Sequence, residues 1–151
     1  MTKTLTVIES LELIARASVA LTEDILHLAG ARSMSLQQWR AILVVAEMKD
    51  AARISAVARR VDVTSPATGR LLQRLSARGL LSLEPDADGS GAQVVSLTAN
   101  GQALVRDALD RRRRVLADIA SQLNGADAAS VLAELASVMR DVVLVSATGE
   151  P

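Results

Sequence analysis

The chain contains no cysteine, no phenylalanine and no tyrosine, and Trp39 is its single aromatic residue. The absence of cysteine excludes disulfides, thiolate metal sites and a thiol-based redox sensor. A core without these aromatic side chains must be aliphatic, and half of the 151 residues are hydrophobic. The abundance of Ala, Leu, Val and Arg favours helix. A chain of this length predicts a single domain.

Targeting signals and long apolar runs are missing as well. The first residues, M-T-K-T-L-T, lack the pattern of a signal peptide, and no apolar run reaches the roughly 18 residues of a membrane span. We therefore expect a cytoplasmic protein without membrane contact. His27 is the only histidine, and one histidine without cysteine makes a poor metal site. With no visible Ser-His-Asp arrangement and no phosphate-cradling glycine loop, we expect neither an enzyme nor a bound cofactor.

The formal net charge is zero, but the charges are unevenly distributed. Residues 53–78 contain six arginines and one aspartate, whereas no Lys or Arg occurs between Arg78 and Arg106. A local basic patch is what phosphate binding requires, and a zero net charge can hide it. The run Arg111–Arg114 is interpreted differently. Four consecutive helical residues cover every side of a helix, and nearby aspartates can pair with them.

Two short helices joined by a tight turn are predicted within residues 53–78, which we call the basic window. Residues 54–60 form the first helix, and residues 61–64 form the turn, where Asp62 tolerates a positive φ. Thr64 is a good N-cap and Pro66 suits the first turn of the second helix, which stops at Gly79. The face predicted to be inward carries Thr68, Leu71, Leu72 and Leu75. The opposite face carries Ala67, Arg70, Arg74 and Arg78. This arrangement is typical of a helix-turn-helix.

The flanking segments are predicted to be helical, with one β-hairpin. Apolar residues at steps of three and four predict a helix that begins near Val7 and ends at Gly30. A capping box of Ser35 and Gln38 begins a second helix. Its predicted inward residues are Leu36, Trp39, Leu43 and Ala46. Residues 80–83 and 93–97, separated by a turn-rich stretch, predict the hairpin, which after a helix-turn-helix is a wing. A helix capped by Thr98, a break at Asn124-Gly125 and a last helix from about Ala126 complete the chain.

Five short motifs occur in order at specific spacings. They are M-S-L-Q-Q-W (34–39), V-A (57–58), T-S-P-A-T-G-R-L-L (64–72), L-S-A-R-G-L-L (75–81) and L-T-A-N-G (97–101). Together they resemble the MarR family of winged-helix transcriptional regulators over roughly residues 5–145. The resemblance implies a mainly α-helical fold of about six helices with a small β-wing. It further implies one domain over 1–151, with a winged helix-turn-helix at 35–97 and a helical dimerisation part at 5–30 and 98–146.

By the same resemblance we expect a homodimeric repressor that binds a pseudo-palindromic operator in double-stranded DNA. Its recognition helix would enter the major groove by the N-terminal turn, where Arg70 can fork onto a guanine edge. The residues expected to contact DNA are Thr64, Ser65, Pro66, Ala67, Thr68, Arg70, Gln73, Arg74, Arg53 and Arg59. Two alternatives stay open: Thr68 can pack inward, and each arginine can lie on a solvated helix face.

The resemblance also implies a dimer interface and an effector site. The apolar residues expected at the interface are Val7, Leu11, Ile14, Val131, Leu135, Val138 and Val142. The same stripes could instead close a monomeric bundle. The family commonly binds small aromatic or phenolic acids between the dimer helices and the winged helix. Candidates for such a site here are Arg16, His27, Met34, Trp39 and Met48. The alternative, that these are ordinary core and surface residues, is the simpler interpretation.

The predicted wing departs from the family pattern. The family tip usually carries an arginine that follows an aspartate and enters the minor groove, whereas this tip reads D-G-S-G-A at residues 88–92. Glu84, Asp86 and Asp88 make the wing acidic. We expect weak wing contact with DNA and heavier reliance on the recognition helix. The same observation supports a second hypothesis, a winged-helix protein-interaction module with weak or no specific DNA binding.

Overall fold

The structure, a computed structural model, describes residues 6–28, 34–48, 51–122 and 129–139. Its elements are α1 (Val7–Leu28), α2 (Leu36–Glu47), β1 (Ala52–Arg53), α3 (Ile54–Val61), α4 (Ser65–Ala77), β2 (Leu81–Pro85), β3 (Gln93–Leu97) and α5 (Ala99–Ser121). Residues 129–139 are helical as well and are called α6. The predicted mainly α-helical fold with a β-wing is confirmed. Gly30, Asn124, Gly125, Ala126 and Val142 lie outside the described residues.

Hydrogen bonds at the helix starts explain why the helices begin where they do. The Ser35 hydroxyl accepts from the Gln38 backbone N–H at 3.2 Å, and the Gln38 side chain accepts from the Ser35 N–H at 3.0 Å, so the predicted capping box is confirmed. Thr6 and Glu9 make the same reciprocal pair before α1. This second capping box was not predicted, although its T-x-x-E pattern is visible in the sequence.

The core of the winged helix is built around α2, which packs against α3, α4, α5 and β3. Because neighbours surround it on several sides, α2 buries more than one stripe. Its buried residues are Trp39, Ala41, Ile42, Val44 and Val45. The prediction that Leu36 points inward is wrong, since this residue in the first turn is 37% exposed.

A three-stranded antiparallel sheet forms the wing, in the strand order β1-β3-β2. The predicted hairpin is confirmed, with Leu81 opposite Leu97 and Pro85 opposite Gln93. The third strand was not predicted, because two residues are too short to show an alternating pattern. In β1, Arg53 lies opposite Val94. This pairing brings the residue before α3 alongside the wing.

The wing returns to the helical body through a close contact with the end of α4. Gly79 takes a positive φ of 71° after that helix, which a glycine adopts without strain. The Thr98 hydroxyl donates to the Gly79 carbonyl at 2.7 Å and accepts from the Gly101 N–H at 3.1 Å. A Cβ on Gly101 would overlap the Leu80 carbonyl oxygen. The glycine of L-T-A-N-G is therefore required because any side chain at this position would clash with the backbone of Leu80.

Candidate nucleic-acid interface

The α4 helix is anchored by one apolar face and presents a basic face outward. Leu72 and Leu75 are fully buried, and Asp62 takes the left-handed conformation that turns the chain from α3 into α4, with a φ of 56°. Both features were predicted. Arg70 and Arg74 project from the opposite face and are exposed. The core therefore fixes the rotation of α4 about its axis, and with it the direction of both guanidinium groups.

The structure corrects the predicted set of DNA-contacting residues, because Thr68 does not belong to it. Its side chain is only 1% exposed, on the face shared with Leu72 and Leu75. A side chain in that position cannot reach a base edge, so the alternative, inward packing, is what the structure shows. Among the described residues its hydroxyl has no hydrogen-bond partner, which leaves a buried polar group unsatisfied.

The six arginines of the basic window differ in whether they are ion-paired. Arg60 pairs with Glu47 on α2, and Arg53 pairs with Asp86 and Asp88 on the wing. Within the described part of the chain, no carboxylate pairs with the remaining four. These four are Arg59, Arg70, Arg74 and Arg78. Three of them lie on α4 or at its C-cap and one lies on α3, so the uncompensated charge is concentrated on the helix-turn-helix.

A cleft of about 250 Å³ lies between the start of α2 and the exposed face of α4. Arg70 and Arg74 line one wall, Ser35 and Gln37 line the other, and Leu71 is among the apolar residues between them. The α2 terminus adds the partial positive charge of a helix N-terminus on this side. The cleft thus combines two unpaired cations with hydrogen-bond donors. Sequence reasoning missed Gln37, because its link to α4 is tertiary.

A second, more open cleft of about 450 Å³ lies on the other side of the α4 start, beside the turn. Arg59, Thr64 and Ser65 line it together with the carboxylate of Asp62. Thr64 is the N-cap residue, but its hydroxyl makes no capping hydrogen bond and is free to bind a ligand oxygen. The first turn of α4 is therefore a ridge between two clefts, one lined by Arg70 and Arg74 and the other by Arg59 and Asp62.

The other predicted contact residues fall on or beside this ridge. Ser65 and Pro66 are exposed in the first turn, Ala67 is half-buried in the wall of the smaller cleft, and Gln73 is exposed further along α4. Arg53 is the exception. It lies at the N-cap of α3, and its side chain is directed to the wing.

Arg53 joins β1 to the turn of the hairpin. Its Nε donates to Asp86 at 2.7 Å, and a terminal nitrogen donates to Asp88. These contacts raise the pKa of the Arg53 guanidinium above its ordinary value, chiefly through the hydrogen bond and charge of Asp86. The pKa of Asp88 is lowered, first by hydrogen bonds from Ser90 and then by the charge of Arg53. The predicted acidic wing is thus partly neutralised by a residue far away in the sequence.

The predicted effector residues lie in different environments. Met34 and Trp39 are buried in the core, and Met48 packs against its edge. Arg16 and His27 are exposed on α1, and their separation of eleven residues puts them on one face roughly 16 Å apart. None of the five lines either cleft.

An extensive apolar surface remains uncovered on α1, α5 and α6. The face of α1 that buries Ile25 at one end leaves Val7 77% exposed at the other. The further exposed residues of the predicted interface are Leu11, Ile14, Val131 and Val138, while Leu135 is half-buried. On α5, Val115, Leu116 and Ile119 are exposed too. A monomeric closure of these stripes is not seen among the described residues.

Comparison with known proteins identifies the kind of winged helix. Residues 33–90 match the model of the MarR family, which is the segment that carries both clefts and most of the wing. This segment of the chain is thus similar to the MarR family. No curated protein sequence is significantly similar to the chain.

Several solved structures share the fold of this chain. Rv1404 from Mycobacterium tuberculosis has a TM-score of 0.81 at 21% identity, over 93% of this chain and 97% of its own. A mutant of MepR from S. aureus, bound to an oligodeoxyribonucleotide, has a TM-score of 0.69 at 18% identity, over 92% and 99%. NadR in complex with 4-hydroxyphenylacetate has a TM-score of 0.68 at 21% identity, over 99% and 98%. The shared fold therefore extends over nearly the whole chain.

Among the described residues, no helix is long and apolar enough to span a bilayer, and no group of His, Cys, Asp and Glu is arranged to hold a metal ion.

Proposed function

We propose that this protein is a sequence-specific DNA-binding transcriptional regulator. One observation carries the proposal: three of the four uncompensated arginines, Arg59, Arg70 and Arg74, line the clefts beside the start of α4. The ion-paired Arg53 and Arg60 line neither cleft. Net charge contributes nothing to phosphate affinity in this neutral chain. Affinity for phosphate comes instead from local unpaired charge on a helix that can enter a groove.

The ridge and its two clefts fit the two sides of a major groove. That groove is about 12 Å wide and admits one α-helix. With the first turn of α4 in the groove, Arg70 forks onto a guanine edge, and the small side chains of Ser65 and Ala67 allow close approach to the bases. The clefts then face the two phosphate backbones, with Arg74 in one and Arg59 in the other. Phosphate contacts set the register, and the α4 side chains read the sequence.

We propose a homodimer as the binding unit. The apolar residues of α1 and α6 need a covering surface, and a second copy provides one by two-fold symmetry. Two recognition helices related by that symmetry read a pseudo-palindromic site whose half-sites lie about one helical turn apart. The MepR mutant structure with its oligodeoxyribonucleotide supports DNA as the partner of this fold.

Repression relieved by a small effector is the regulatory mode we propose. NadR, which shares the fold, holds 4-hydroxyphenylacetate, a phenolic acid. In this chain the corresponding candidates are Arg16, His27, Met34, Trp39 and Met48. Either Arg16 or His27 can pair with a carboxylate on the exposed face of α1, but not both at once, because they lie roughly 16 Å apart. Met48 supplies apolar surface at the edge of the core. A ligand acts by binding better to one separation of the two recognition helices than to another.

A protein-interaction module is the second candidate, and the acidic wing favours it. Even with Arg53 counted, Glu84, Asp86 and Asp88 leave the wing region negative, which opposes contact with a phosphate backbone. The two candidates differ in their response to salt, because each phosphate neutralised by a cation releases counterions.

Selection from a random-sequence duplex library tests the proposal. Purified protein is used to enrich the library at a low and a moderate salt concentration, and the recovered pool is sequenced. Recovery of a palindrome with half-sites about 10 base pairs apart supports the regulator. Enrichment without any common sequence at both salt concentrations contradicts it and favours the interaction module.

A further inference from the structure

The contact between Arg53 and the wing resembles the contact that an arginine makes with DNA. The guanidinium donates two hydrogen bonds, one to each of two carboxylates, from nitrogens that could equally serve a phosphate;. In the pair with Asp86, the arginine side chain is 50% exposed and the aspartate side chain 17%. The cation is thus accessible to solvent while this partner is held by the turn.

The wing carboxylates are held in place by their own hairpin. The Asp86 N–H donates to the Ala92 carbonyl at 2.8 Å and closes the turn. Asp86 also accepts from the Asp88 N–H at 3.3 Å, and Asp88 accepts from the Ser90 N–H at 2.9 Å. The two anions are therefore fixed before any ligand arrives. The flexible arginine is the part of this contact that can exchange partners.

We infer that Asp86 and Asp88 act as an intramolecular substitute for DNA phosphate, and that they restrain Arg53 from binding the operator backbone. The inference rests on the proposed function. A solvent-accessible ion pair stabilises the fold only weakly, so Arg53 can be released at little cost. While the pair holds, Arg53 adds neither affinity nor counterion release to DNA binding. Weak occupancy of the duplex is the consequence, and any event that removes the wing charges strengthens it.

Glu84 offers a matched control for this inference. It is a third carboxylate on the same wing, but it accepts from the Ser82 hydroxyl at 3.0 Å and does not contact Arg53. Neutralising Glu84 therefore reports the general electrostatic effect of an acidic wing. Neutralising Asp86 and Asp88 removes two such charges and also releases Arg53, and the combination with Arg53→Gln separates these two contributions.

The experiment compares five proteins on one selected duplex across a salt series. They are the wild type, Glu84→Gln, Asp86→Asn/Asp88→Asn, Arg53→Gln and the Arg53→Gln/Asp86→Asn/Asp88→Asn combination. We expect the aspartate double variant to bind about three- to fivefold more tightly at low salt, with the slope of log affinity against log salt steeper by about 0.9. Arg53→Gln alone changes affinity less than about twofold, and in the combination most of the gain disappears.

Each outcome separates this inference from the proposed function. A gain that survives in the combined variant, or that Glu84→Gln matches, overturns the inference and leaves DNA binding intact. Weaker binding by the aspartate double variant overturns it as well and makes Arg53 a positioning residue for the wing. Binding by all five proteins that does not weaken as salt rises overturns the proposed function and the inference together. Thermal unfolding of each variant checks that the wing remains folded.

Discussion

The α-carbon of Gly101 faces the Leu80 carbonyl group so closely that a Cβ there would overlap the oxygen and lie 3.1 Å from the carbonyl carbon. The contact joins the start of α5 to the turn between α4 and the wing. It thereby fixes the start of α5 relative to α4.

Gly101→Ala should destabilise the fold by at least roughly 1–3 kcal/mol, because the added methyl group meets backbone that cannot rotate away. Urea unfolding measures the change. Gly69→Ala is the control, since a Cβ at that helical glycine meets nothing within 4 Å. It should stabilise the fold by about 0.5–1 kcal/mol. Equal effects of the two substitutions would mean that the close approach does not constrain residue 101.

Much of the fold follows from local patterns. The capping box at Ser35, the positive φ at Asp62 and the Thr98 cap each depend on residues within four positions of one another, so the sequence displays them. The β1 strand and the Arg53 pairs could not be predicted, because they join residues more than thirty positions apart. Burial of Thr68 was only one of two predicted options, since a small polar side chain fits either face of a helix.

Thr68→Val should raise the free energy of unfolding by about 1 kcal/mol, because valine has nearly the same shape and removes an unpaired buried hydroxyl. Its affinity for DNA should be unchanged, since the side chain lies in the core. Thr98→Val is the contrasting variant. It loses the hydrogen bonds to Gly79 and Gly101 and should cost about 1–2 kcal/mol. A destabilised Thr68→Val protein would show that the hydroxyl has a partner after all.

Arg70→Ala and Arg74→Ala should weaken DNA binding in different ways. Loss of Arg70 should cost about 1–3 kcal/mol on the preferred site and relax specificity at one base pair, while loss of Arg74 should weaken all sequences alike. Competition binding against single-base variants of the selected site measures both effects. Arg60→Ala serves as the control, because Glu47 already neutralises that arginine. If Arg60→Ala weakened DNA binding more than the other two substitutions, our assignment of Arg70 and Arg74 to the DNA-contacting face of α4 would be wrong.

Leu11→Glu should dissociate the dimer, since it places a charge on the α1 face that buries Ile25 further along the helix. Sedimentation velocity gives the oligomeric state, and affinity for the palindrome should fall together with the dimer. Leu13→Glu is the matched control. Leu13 is exposed too, but it lies on a different side of α1. A dimer that tolerates Leu11→Glu and is lost with Leu13→Glu would place the interface on the other face.

The unpaired arginines of α3 and α4 are proposed to neutralise DNA phosphates in a chain whose net charge is zero. The most direct test is the affinity of the wild type for a selected duplex between about 50 and 200 mM salt, beside an Arg59→Ala/Arg74→Ala variant. For the wild type we expect log affinity to fall steeply and linearly with log salt. For the variant the slope should be shallower by about 0.9 for each lost phosphate contact, which is two contacts per protomer. The same slope in both proteins, or no salt dependence in either, would contradict the proposed role of these arginines.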